Sequence, residues 1–447
     1  MAGRTPKTIS AAEAAALVRP GMCVDYGGSI CQPEVFDTAL AARAGALRDV
    51  RVRTCLSLKP LAFLEADPAG DSFEHFSWHF GGYDRRKHDE GRCHYIPLNL
   101  GEVPDYYRRF LPPTDIAVVK ACPPGPDGRF SFGCTAVWLQ ALAQTARTVV
   151  VEVTRGMPTV AGEGNSVGAD EVDYIIQGND APAAELPNPA PSEIDRAVAV
   201  RIAAEVEHGA CLQIGIGGMP NAVCTLLKEA GVKDLGIHTE MLTDGLVELY
   251  KAGCVTGARK RLDPGKVVFT FALGSRALYE AIDQNHDMLC RSTDYTNLPH
   301  MIMQNDKVVS INSTTQIDLQ GQAASESDGH RHISGTGGQL QFVRGAYASA
   351  GGKSFICLPS TWEKAGRRKS RIVLDLTPGN IVTTPRSDVM YLVTEYGMAC
   401  LKGKSVCERA RAIVDLAHPD FRDGLERQAR EHGLLPRGRP GHRATAE

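Results

Sequence analysis

The sequence predicts an α/β protein: two similar open domains with mainly parallel sheets, related by an internal duplication. Three observations carry that expectation. At 447 residues the chain exceeds what one core ordinarily holds. Short β-rich runs such as TARTVVVEV and KVVFTFAL alternate with helical patterns in both halves. The halves also repeat one another. Gly21, Cys23 and Gly27 recur as Gly209, Cys211 and Gly215, each at an offset of 188 (209 − 21). Further along, DVRVRTC (49–55) lies beside DLGIHTE (234–240), and DIAVV lies beside DKVV.

Taken in order, AAEAAALVRPG (11–21) is a helical pattern that stops at Gly21 and feeds the short strand MCVDYGG. Residues 179–192, NDAPAAELPNPAPS, lack periodicity and mark a linker. The boundary near 190 gives an N-terminal domain, 1–190, and a C-terminal domain, 191–447. Just beyond it SEID (192–195) has capping-box spacing, and the helix it opens is expected to end with Gly209 as its C-cap.

Composition narrows the class. Hydrophobic residues at 43% and charged residues at 23% suit a soluble globular protein. A net charge of −3 supplies no pull toward nucleic acid or anionic lipid. The amino terminus lacks the apolar core of a signal peptide, and no run of 18 apolar residues occurs, so a cytoplasmic protein without membrane association is expected. Thirteen cysteines without C-x-x-C spacing suggest buried thiols in a reducing compartment. No metal site is expected: His330 and His332 stand in a polar Gly/Ser loop with no cysteine at ligand spacing and are read as solvated. The last residues, RGRPGHRATAE, are expected to be a disordered tail.

One stretch raises the question of chemistry. In DLGIHTEMLTDG (234–245), Leu235 to His238 have strand character, Glu240 follows, and Thr-Asp-Gly opens an apolar helix. Ligands of open α/β sheets sit outside the carboxyl ends of strands, where Glu240 is placed. Its counterpart in the first half is Cys55, so the repeated architecture does not itself require an acid there. The plainer reading is a first-turn glutamate favoured by the helix dipole.

Three glycine-rich segments accompany it: GIGGMPNAV (215–223), SGTGGQLQFVRGA (334–346) and ASAGGKS (348–354). Each could present backbone N–H groups to an anion, and GIGG before Pro220 is the best formed, with a strand, a glycine turn and a helix start in sequence. It matches neither the dinucleotide fingerprint nor the P-loop. No H-E-x-x-H occurs. What remains is one carboxylate among backbone donors, with a ligand that brings its own reactive group. With a reference pKa near 4.3, such a glutamate is expected to be almost fully ionised at neutral pH and able to attack an activated carbonyl.

Several longer motifs, HTEMLTDGLVELYKAG, ALGSRALYEAID, DYTNLP, SGTGGQLQFVRGAYASAGGKSFICLPS and VTEYGMACLKGKSVCERARAIVDLAHPDFR, closely resemble the acetyl-CoA hydrolase/transferase family. That family includes the 4-hydroxybutyrate and butyryl-CoA:acetate CoA-transferases. The resemblance implies that Glu240 is the nucleophile of a ping-pong CoA transfer between a short-chain acyl-CoA and a carboxylic acid, through an acyl-glutamyl anhydride and a glutamyl-CoA thioester. It implies that Gly215, Ile216, Gly217, Gly218 and Met219 cradle CoA, with the Met219 N–H as an oxyanion donor. Asn297 would be a side-chain donor, and Gly337 and Gly338 would lie against the intermediate and the pantetheine. CoA is then a substrate. No tightly bound cofactor or metal is implied, and a homodimer or larger homo-oligomer is.

Two rivals stand beside this expectation: a thioester hydrolase using the same glutamate with water as acceptor, and a non-catalytic metabolite-binding protein. Gln316, in TTQID, departs from the acidic residue the family commonly carries there, which bears on acceptor preference. The segment SWHFGGYDRRKHDEG (77–91) and TTQID are expected to shape the acyl pocket. CPPGPDGRFSFG (122–133), with Cys122 for the family's serine, is read as a turn-forming loop without a catalytic role.

Overall fold

The computed structural model describes residues 5–436, so the expected tail lies outside the described residues. Each half is organised around one eight-stranded sheet. In the first, the strands run edge to edge as Lys7–Thr8, Tyr174–Gln177, Thr148–Val153, Ile116–Ala121, Cys23–Asp25, Val50–Thr54, Phe73–Ser77 and His94–Tyr95. The second runs Gly397–Cys400, Tyr391–Thr394, Lys353–Cys357, Val308–Ser313, Cys211–Ile214, Gly236–Leu242, Val267–Ala272 and Met288–Cys290. Without the first-named edge strand of each, the two sheets have the same strand order, and every neighbouring pair is parallel. The Gly397–Cys400 edge is antiparallel to its neighbour.

The central strands are where the sequence is most apolar. IAVVKA (Ile116–Ala121) and VVFTFA (Val267–Ala272) are buried at every position, as a sheet covered on both faces requires. The capping box forms as the spacing predicts: Ser192 Oγ accepts the Asp195 N–H at 3.1 Å, and the Asp195 carboxylate accepts the Ser192 N–H at 2.9 Å.

Three local expectations are corrected. The helix over Glu193–Ala203 ends well before Gly209, which instead turns the chain at φ +78° into the Cys211–Ile214 strand. Gly21 holds the same φ before Cys23–Asp25. The strand carrying Glu240 runs on to Leu242, so Glu240 lies inside its last turn of pleat rather than past its end. Pairing with the adjacent strand, Met241 to Phe271 and Leu242 to Ala272, sustains that extension. His332 is buried and stacked on Tyr95 at 3.7 Å, not solvated, because the Ser327–His332 hairpin docks on the first half through Arg331 and Asp89. His330 is exposed.

The largest apolar cluster crosses between the halves, with Trp78 and Trp138 on one side and Ile214, Phe269 and Phe271 on the other. Backbone bonds reinforce it: Ala136 N–H to Thr270 C=O at 3.0 Å and Thr293 N–H to Val137 C=O at 2.8 Å. The 179–192 segment has no regular structure, and its Leu186 N–H reaches Gly274 C=O at 3.0 Å. In CPPGPDGRFSFG the Arg129–Ser131 strand pairs with Ser166–Gly168. All thirteen cysteines are free thiols, most of them buried. No described helix is long and apolar enough to cross a membrane.

Candidate active site

Glu240 receives groups from two other elements of its own half. Asn297 terminates the short helix Thr293–Thr296 and is fully buried. Its Oδ1 accepts the Thr296 Oγ1 hydrogen at 2.8 Å, which turns the amide NH₂ toward Glu240. Asn297 Nδ2 donates to Glu240 Oε2 at 2.6 Å. The second element is the SGTGG segment that opens the helix Gln339–Ala348. A Cβ on Gly338 would lie 2.1 Å from Glu240 Oε2 and 2.2 Å from Asn297 Nδ2, so only glycine fits. Gly337, at φ +55°, would place a Cβ 3.7 Å from Glu240 Oε1.

Burial pushes the Glu240 carboxyl up to about 7, while the Asn297 amide and the Gly338 backbone pull it back. This corrects the expectation of an almost fully ionised group at neutral pH. Desolvation raises the energy of the anion, and the two donors stabilise it.

The first half faces the same carboxylate. Cys55 follows the Val50–Thr54 strand, and burial drives its thiol well above the ordinary range, with the Glu240 charge adding to the effect. The two positions matched by the repeat, Cys55 and Glu240, thus lie near enough for their charges to interact. His79 follows the neighbouring Phe73–Ser77 strand, and its Cε1 lies 3.7 Å from the position a Gly337 Cβ would take. Burial, with His332 and Arg85 nearby, lowers His79 to about 4, so its imidazole is neutral at physiological pH. Sequence reasoning named the segment around His79 only as pocket-forming and missed Tyr95, whose hydroxyl accepts the Thr336 N–H at 3.1 Å. No local signal marks either residue, since both act across the two halves.

The other glycine turn stands on the neighbouring strand. Cys211–Ile214 runs parallel to Gly236–Leu242 with Leu212 opposite Ile237, so Gly215 to Met219 leave the sheet on the side where Glu240 stands. Gly217, at φ +116°, is the N-cap of the helix Gly218–Glu229. A Cβ on Gly218 would meet Asp195 Oδ2 at 2.6 Å, a packing reason for that glycine. Ile216 is exposed and the Met219 side chain is buried in the core. Ile216 and Gly217 line a cleft with Asn188, Asn221, Thr243 and Gly274. Glu240, Asn297 and Gly338 are thus brought into contact, while Gly215 to Met219 form a separate rim.

Gln316 is committed elsewhere: its Oε1 accepts the Thr377 N–H at 2.8 Å and the Asn380 amide at 2.8 Å. Away from Glu240, His75, Asp84 and Cys93 form a buried polar cluster with donor atoms within 4.8 Å of one another. Asp84 Oδ2 there accepts the N–H groups of Ser57 and Gly81, each at 2.8 Å.

The profile of the acetyl-CoA hydrolase/transferase N-terminal domain matches residues 4–187, and that of the C-terminal domain matches residues 274–429. The chain belongs to the acetyl-CoA hydrolase/transferase family. It is 42% identical to the butyryl-CoA:acetate CoA-transferase of Anaerostipes caccae, over 95% of this chain and 96% of that one. It is 44% identical to a probable butyrate:acetyl-CoA coenzyme A-transferase of Syntrophomonas wolfei, over 96% of each. Among solved structures, RipA from Yersinia pestis superposes with a TM-score of 0.86 at 38% identity, covering 96% of this chain and 98% of that one.

Proposed function

We propose that this protein is a CoA-transferase that moves CoA between a short-chain acyl-CoA and a carboxylic acid, with Glu240 as the nucleophile. The observation that carries the reading is the Asn297 amide, 2.6 Å from Glu240 Oε2, beside a glycine that no side chain could replace. The names of the relatives support the substrate classes.

In this reading a Glu240 oxygen attacks the thioester carbon, and the C–S bond breaks to give an acyl-glutamyl anhydride and CoA thiolate. The thiolate attacks the Glu240 carbonyl, the donor acid leaves as its carboxylate, and a glutamyl-CoA thioester remains. An acceptor carboxylate then attacks that thioester, thiolate departs again, and its return to the new acyl carbon frees Glu240. Every step is redox-neutral. Each passes through a tetrahedral oxyanion, for which a well-aimed donor is worth about 3 to 4 kcal/mol. Asn297 and the Gly338 backbone are suited to serve the Glu240 oxygens as charge moves on and off them. Gly215 to Met219 would hold CoA, whose binding far from the reacting carbon keeps the thiolate close to the anhydride.

The test is Glu240→Ala, for which loss of transfer of at least about 10³-fold is expected with CoA binding retained, because the carboxylate does little to hold the nucleotide. Mass spectrometry of the wild type mixed with acyl-CoA, without acceptor, should find CoA covalently attached to Glu240. Wild-type turnover in the alanine variant would refute the reading. Release of free CoA at the transfer rate when no acid is added would assign the protein as a hydrolase instead.

A further inference from the structure

The segment that carries Gly338 to Glu240 is held in place by the other half of the molecule. Phe80 N–H donates to Ser334 C=O at 3.0 Å, and Leu100 N–H donates to Gly337 C=O at 3.0 Å. Between them, the Tyr95 hydroxyl accepts the Thr336 N–H at 3.1 Å. The outer two bonds join main chain to main chain. The middle one depends on a single side-chain oxygen.

Thr336 is held a second time, through its side chain, by Glu326. Glu326 Oε2 stands 3.5 Å from the Tyr95 hydroxyl and accepts the Thr336 Oγ1 hydrogen at 3.0 Å, while Oε1 accepts the Thr383 Oγ1 hydrogen at 2.9 Å. The Glu326 carbonyl takes the Ile333 N–H at 2.8 Å. Glu326 is only 3% exposed, and its carboxylate is served by the hydroxyls of Thr336 and Thr383. A buried carboxylate served by hydroxyls is an expensive arrangement unless its acceptor-only character has a use. Here it does. The Glu326 carboxylate takes the Thr336 hydroxyl hydrogen while the Tyr95 oxygen takes the Thr336 N–H, so one residue is held by both its side chain and its backbone. The ring is held by its stack on His332 and by Phe80 at 5.6 Å.

We propose that Tyr95 and Glu326 are positioning residues for the reaction at Glu240, acting through Thr336 to fix the Gly337–Gly338 backbone against the carboxylate. Neither touches Glu240. The inference rests on the proposed role of Glu240 as nucleophile. Its physical basis is the composition of the segment: Gly335, Gly337 and Gly338 surround Thr336, and glycine backbone left unrestrained samples many conformations. A donor displaced by an ångström loses much of its value in the transition state.

The experiment compares full-length Tyr95→Phe, Glu326→Gln and Glu240→Ala with the wild type, measuring kcat, KM for acyl-CoA, pH profiles and thermal midpoints. Tyr95→Phe and Glu326→Gln should each lower kcat by about 10- to 100-fold, with KM for acyl-CoA within about 3-fold. In both, the acid limb of kcat/KM should move to higher pH, since a drifting Gly338 no longer stabilises the Glu240 anion. The titratable groups facing Glu240 leave that limb clear: Cys55 is shifted well above it and His79 down to about 4. Thr336→Ser, which keeps both the N–H and the hydroxyl, should retain near wild-type kcat and serves if the other variants fold poorly, with Thr336→Val as its slow counterpart. Wild-type kcat with an unmoved limb in Tyr95→Phe and Glu326→Gln, or a loss confined to thermal stability, overturns the inference while leaving an inactive Glu240→Ala intact. Turnover in Glu240→Ala removes the reading beneath it.

Discussion

In the proposed reaction two demands oppose each other at Glu240: the site must exclude water, and the carboxylate must be ionised to attack. Burial raises its pKa to about 7. The anion is the reactive form, so kcat/KM for acyl-CoA should fall as pH drops through about 7, tenfold per unit below it, in a stopped-time assay from pH 5.5 to 8.5. A flat profile across that window would place the ionisation elsewhere. The same shift bears on stability with a definite sign. Between the ordinary glutamate range and 7, the folded protein keeps a proton that the unfolded chain releases, so stability declines as pH rises through that window. Glu240→Gln should therefore unfold later than the wild type at pH 8, by on the order of 2 kcal/mol, with the difference gone at pH 4. Gly338 is tested separately. Gly338→Ala would drive a methyl group into Glu240 Oε2 and Asn297 Nδ2, and a kcat loss of about 100-fold or more is expected with a normal circular dichroism spectrum.

At the scale of elements, the two glycine turns should fail differently. Gly217 has nothing within 4 Å of a would-be Cβ, so Gly217→Ala meets no clash, only the strain of φ +116°, about 1 to 3 kcal/mol. Relief of that strain reshapes the start of the Gly218–Glu229 helix, which the proposed function assigns to CoA. KM for acyl-CoA should rise about tenfold with kcat nearly unchanged, the reverse of the Gly338 result. Equal effects on kcat would separate this turn from ground-state binding. Elements like these were legible because their signals are local. VVFTFA is apolar at every position, and SEID carries its own capping geometry. Errors fell where the deciding partner is distant. His332 looks like a loop histidine until Arg331 meets Asp89 and the hairpin closes on Tyr95. Glu240 looked terminal to its strand until Phe271 and Ala272 extended the pairing.

For the molecule as a whole, motif resemblance located Glu240, Asn297 and Gly338 on one side of the site, while Cys55, His79 and Tyr95 emerged only when the two sheets were set against each other. We read the common strand order as the trace of a duplication. The same arrangement argues against independence of the halves proposed as 1–190 and 191–447. Trp138, Phe269 and Phe271 share one apolar cluster, and Thr270 C=O accepts the N–H groups of Ala136 at 3.0 Å and Val137 at 3.3 Å. Separation would uncover that apolar face and leave those backbone groups to water. The intact chain is therefore expected to unfold in a single calorimetric transition despite its length. Residues 191–447 produced alone should keep Glu240 and the Gly215–Met219 turn yet lack Phe80, Tyr95 and Leu100, which hold the Ser334–Gly338 segment. That fragment should aggregate, or if kept soluble should show no transfer, and co-production with 1–190 should restore it. Two resolved transitions, one coinciding with the melting of an active 191–447 fragment, would show that the second half builds its site unaided.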